Sequence, residues 1–232
     1  MSDSPARSPS SLAPAYLAPY VAYVALGALA DPRAHAELIY AARMLAVGGA
    51  LAFFWRDYVP LRGPRSPWGS LAYGALAGLS GSALWIALRR PFAAANAPAW
   101  SESAWLARAV GSTLLPPFAE ELLFRGWVLR SVLLFERARA AGRAAPLAEA
   151  LDRASLADVS PGQASALAVL VSSALFAAGH LPAEWPAAFA YAALMCALWI
   201  WRGDLVSCVS AHAATNLALA LFARAQGDWG VW

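Results

Sequence analysis

Apolar runs recur along most of the chain, and their lengths are those of membrane-spanning helices. The first covers about residues 12–30, with Pro14 and Pro19 near its start. The second covers about 38–55 and closes on Phe53, Phe54 and Trp55. The third covers about 70–88 and carries Gly74, Gly78 and Gly81 on one face. A hydrocarbon layer of about 30 Å takes about 20 helical residues, so each run predicts a span. The glycine face predicts the close approach of another helix.

A shorter run at 104–115 stops at Pro116 and Pro117. A further helix is predicted from Pro117 to about Leu134, because proline is tolerated in a first helical turn. Later runs cover about 164–178, 187–201 and 205–222. Counted as two, the broken element gives eight helical segments; counted as one, it gives seven. The expected fold is all-α, a polytopic transmembrane helical bundle of seven to eight helices. It forms one domain over 12–224, with a flexible tail at 1–11 and a second tail at 225–232.

One long polar stretch, 135–163, interrupts the apolar pattern with Glu136, Arg137, Arg139, Arg143, Glu149, Asp152, Arg153 and Asp158. Its Ala and Leu spacing predicts an amphipathic helix on the membrane surface near 144–156. With the N-terminus, this loop and the other even-numbered connections on one side, ten arginines face four on the other. The N-terminus and the long loop are therefore expected in the cytoplasm. Counting the broken element as two crossings would move the C-terminus to the other side.

Composition agrees with the pattern. Hydrophobic residues make up 60% and charged residues 13%, against about 45–50% and about 25% in soluble domains. That argues against an ordinary cytosolic enzyme and against a disordered chain. Eleven tryptophans suit a membrane interface, where Trp229 and Trp232 are expected. All 17 basic residues are arginine. With the alanine excess this reads as GC-rich coding, hence a bacterial inner membrane, and not as a nucleic-acid footprint. Cys196 and Cys208 form no CxxC pair and are read as packing residues. The polar residues 1–14 lead into a retained helix rather than a cleaved signal.

Ionisable groups inside a bilayer cost about 2.5–3.5 kcal/mol or more and tend to carry function. The densest case is PPFAEELLFRG, 116–126. Glu120 and Glu121 point about 100° apart on a helix. Glu121 and Arg125 are four apart and predict an ion pair, which leaves Glu120 free for chemistry. Two further sites are FAAGH, 176–180, which ends in His180, and HAATN, 212–216, in which His212 and Asn216 share a face. His35 falls in a short polar loop and is expected to be exposed. Arg43 lies within the second apolar run, either paired with an acid or snorkelling to the interface.

One Glu, two His and one Asn suffice for amide hydrolysis by directly activated water. A Glu and a His can hold and deprotonate that water. An Asn amide and a His N–H can donate to the developing oxyanion. No nucleophile elbow G-x-S-x-G is present. The same set could hold zinc, although no H-E-x-x-H occurs.

In this order, EELLFRG, FAAGH and HAATN resemble the signature of the CAAX-protease and bacteriocin-processing family, which are intramembrane glutamate-type proteases. The resemblance covers about 101–222. It implies some eight helices around a membrane-embedded cavity and peptide-bond hydrolysis in a membrane-anchored or lipidated protein. It also implies that Glu120 and His180 activate water and that His212 and Asn216 form the oxyanion hole. Glu121 and Arg125 would support the site, and Phe176 belongs to the pattern. No cofactor is implied, and a metal is disfavoured. FFWRDY, 53–58, resembles the CAAX prenyl protease-related branch of bacteria. Two other classes compete: a non-catalytic scaffold or bacteriocin self-immunity protein, and a small proton-coupled carrier, which the lack of inverted repeats disfavours.

Overall fold

The computed structural model describes residues 12–29, 35–94, 97–153 and 156–232. Helix α1 spans Leu12–Ala28, α2 Ala36–Phe53, α3 Pro67–Arg89 and α4 Glu102–Leu114. Helix α5, Pro116–Glu121, runs through a π-helical stretch, Leu122–Val128, into α6, Leu129–Ala140. A single turn α7, Pro146–Ala148, precedes α8 (Ala166–Ala178), α9 (Trp185–Arg202) and α10 (Leu205–Gln226). With α5 and α6 taken as one rod and the turn α7 set aside, these make eight helical rods, and no strand occurs among the described residues. Four stretches are long and apolar enough to cross a membrane: Ala36–Phe53, Pro67–Phe92, Pro182–Arg202 and Leu205–Gln226.

Local chemistry sets the helix ends. Ser101, Ser165 and Asp204 each accept a backbone N–H from the first turn that follows, at 3.3, 3.0 and 2.7 Å. Gly203 ends α9 in the left-handed region, at φ 69°, where a side chain would be strained.

Helix α10 is the central rod and packs along α3. The glycine face makes this possible. A Cβ at Gly74 would sit 2.5 Å from the Ser207 carbonyl oxygen, and one at Gly78 closer still to that of Ala211. Thr215 ties the pair by donating to the Gly78 carbonyl at 2.8 Å. Gly78→Leu must therefore force the helices apart. It is expected to lower stability by about 1–3 kcal/mol, read as a fall in the thermal midpoint of the detergent-solubilised protein. An unchanged midpoint would contradict this packing.

One sequence expectation is corrected. The helix begun at Pro116 runs on to Ala140, into the stretch taken as polar loop. A short helix does form where one was expected near 144–156: the turn Pro146–Ala148 runs into a π-helical stretch, Glu149–Arg153. Its Leu147 is exposed and its Ala150 buried, and beyond it Leu156 and Val159 are buried in the core. Arg130, buried on α6, holds these following residues by donating to the carbonyls of Leu156 and Val159 at 2.9 and 3.0 Å. Arg43 turns toward α1, donates to the Tyr23 carbonyl at 3.0 Å and lies over the Tyr23 ring. Cys196 and Cys208 are buried free thiols.

Candidate active site

The sequence Pro116–Pro117 starts α5 with the residues best suited to a first turn, and Glu120 and Glu121 follow one turn on. At Leu122 the helix widens. The Leu129 N–H reaches back five residues to the Phe124 carbonyl, which also accepts the Ser172 hydroxyl from α8 at 3.0 Å. Such π-helical turns cluster at functional sites. Here the turn is pinned from outside by α8.

The two glutamates part company as their 100° offset requires. Glu121 is fully buried, 0% exposed, and faces Arg125 at 3.2 Å. It also takes the Nδ1–H of His212 at 2.9 Å. Arg125, fully buried as well, donates to the Ala192 carbonyl at 2.7 Å and lies 5.3 Å over the Phe176 ring. Buried charges persist where each has such partners. Glu120 is 8% exposed and opens instead onto a cavity of about 370 Å3.

That cavity brings together Glu120, His180, His212 and Asn216, with Phe176 in its wall. Glu121 and Arg125 lie behind it. His180 sits just past the end of α8, with Nδ1 at 2.9 Å from the Phe176 carbonyl. A carbonyl only accepts, so Nδ1 carries the proton and Nε2 is left as an acceptor in the neutral ring. The ring rests against Trp85, centroids 5.6 Å apart. His212 projects from α10, with Nε2 at 3.9 Å from the Glu120 Oε2. One turn later Asn216 donates from Nδ2 to the Ser112 carbonyl of α4 at 2.8 Å, which leaves its second amide hydrogen available. His35, before α2, is exposed and does not line the cavity.

The sequence motifs do not reveal the rest of the lining, which includes Tyr20, Trp85, Arg108, Glu184 and Tyr191. Tyr191 lies in an Ala- and aromatic-rich helix with no polar spacing to mark it. Trp232, expected at the membrane interface, also lines the cavity, because Trp85 donates from Nε1 to the Val231 carbonyl at 3.2 Å and holds the turn there. Among the described residues, no three His, Cys, Asp or Glu side chains converge as a metal-ligand set.

Residues 102–218, half of the chain, match the family model described as type II CAAX prenyl endopeptidase Rce1-like. The chain belongs to this Rce1-like family. The Rce1-like match runs from α4 into α10 and so contains all three motifs, while α1–α3 lie outside it. No curated protein and no solved structure matches the chain. The Rce1-like family is one of proteases acting on prenylated or membrane-anchored proteins. With its four apolar helices, the chain is an integral membrane protein.

Proposed function

We propose that this protein is an intramembrane endopeptidase that hydrolyses a peptide bond of a membrane-anchored or lipidated protein, by water activated between Glu120 and His180. The observation that carries this is the convergence of Glu120, His180, His212 and Asn216 on one cavity, with Glu121 committed elsewhere. The family description adds a substrate class, the CAAX type, whose motif ends at a free chain terminus. The arginine distribution supports a bacterial inner-membrane location with the N-terminus in the cytoplasm.

The chemistry closes on these groups. Glu120 and the Nε2 of His180 hold the water. Glu120 takes one proton as the water oxygen bonds to the scissile carbonyl carbon. Negative charge grows on the former carbonyl oxygen, where the free Nδ2–H of Asn216 and the Nε2–H of His212 donate. The Nδ1–H of His212 is given to Glu121, so this donor role requires the ring to carry both protons. The C–N bond then breaks, and the proton held by Glu120 passes to the departing amine nitrogen. The reaction routes no step through a metal.

Asn216→Ala tests the oxyanion assignment. It is expected to lower kcat by about 10²–10³-fold on a lipidated peptide, with KM little changed. A loss confined to KM, or none, would contradict it.

A further inference from the structure

Of the charged side chains that line the cavity, Arg108 has no counter-charge among the described residues. Glu184 is held by Arg89 at 3.8 Å and accepts the Leu181 N–H at 3.2 Å. Glu120 and His212 face each other. The Arg108 guanidinium lies 4.7 Å from the Trp100 ring centre and 4.2 Å from that of Trp232, but no carboxylate pairs with it among the described residues. Aromatic faces meet the planes of a guanidinium. Its N–H edge is a fork that fits a carboxylate or a phosphate. A cation that lines a cavity with that edge unpaired is open to an anionic ligand.

Its position identifies the ligand. Arg108 and Ser112 are four apart and share a face of α4, and the Ser112 carbonyl holds Asn216. The Arg108 backbone thus lies about 6 Å along α4 from that of Ser112, whose carbonyl holds Asn216. An extended chain advances about 3.3–3.6 Å per residue, so two or three residues past the scissile bond bring a chain end to Arg108. We propose that Arg108 binds the free terminal carboxylate of the substrate and so selects substrates cut close to their C-terminus. This rests on the endopeptidase reading above. It makes Arg108 a specificity residue that holds substrate at a distance from the reacting bond.

The test uses full-length Glu120→Gln protein, so that nothing is turned over, in nanodiscs of zwitterionic phosphatidylcholine. The probes are one S-farnesylated CAAX tetrapeptide as the free acid and as the C-terminal amide. The acid is expected to bind about tenfold to a hundredfold tighter, the scale of one charge-assisted bidentate pair. Arg108→Gln in the same background should bring the ratio near one. Arg108→Lys, which keeps the charge but not the fork, should retain part of it and guards against a folding defect. Equal binding of acid and amide, binding of neither, or a ratio that survives Arg108→Gln overturns the proposal. So does a dependence on Arg108 that arises only when phosphatidylglycerol is added to the disc, since the anion is then a lipid phosphate. Selective binding of the acid by wild type without cleavage would refute the peptidase reading and leave the carboxylate anchor standing.

Discussion

Arg125→Ala is expected to destabilise the protein by about 3–5 kcal/mol, because it strips a fully buried carboxylate of its counter-charge. The loss has several parts. Glu121 is left with only His212 as a partner, at 2.9 Å. The Ala192 carbonyl loses its guanidinium donor. Phe176, against which the guanidinium lies, loses a packing neighbour. The measurement is the thermal midpoint in detergent, with the accumulated membrane level as a second readout. The paired substitution Glu121→Gln with Arg125→Met removes both charges together and is expected to cost less than Arg125→Ala alone, since an uncompensated charge is the main penalty. If Arg125→Ala left the midpoint unchanged, the buried pair would not be holding α5 to α9 and α10.

Glu120→Gln is expected to lower hydrolysis by about 10²–10⁴-fold, the range that a general base contributes, while the protein stays folded. The substitution preserves shape and adds no buried unpaired charge, because Glu120 faces the cavity and not the Arg125 pair. Its thermal midpoint should match wild type. Glu121→Gln acts differently: it weakens the acceptor of the His212 Nδ1–H and the partner of Arg125, so activity and midpoint should fall together. A split between kcat and midpoint therefore separates the two adjacent glutamates. Equal folding with complete loss for Glu121→Gln would reverse their roles.

The parts of this fold that were legible in the sequence are those set by local periodicity. Apolar runs predicted the spans, and the spacing of Gly74, Gly78 and Gly81 predicted the tight seam with α10. The four-residue spacing of Glu121 and Arg125 predicted their ion pair. What was hidden depends on residues distant in sequence. The π-helical turn is pinned by Ser172 on Phe124, 48 residues apart, and nothing within 122–128 announces it. His212 finds Glu121 across 91 positions, and Asn216 finds Ser112 across 104. The short helix near 144–156 was legible, but the burial of Leu156 and Val159 after it was not, since it goes with Arg130, 26 and 29 positions away, donating to their carbonyls. Arg108 carries no motif; only the cavity that it lines gives it meaning.

The most direct test is a comparison of peptide ends in two strains, one carrying wild type and the other Glu120→Gln, at matched membrane levels. New N- and C-termini in a membrane-anchored or lipidated protein, present with wild type and missing with Glu120→Gln, are the predicted result and would name the substrate. Identical end profiles, with both proteins abundant and equally folded, would contradict the peptidase and return the chain to a scaffolding role.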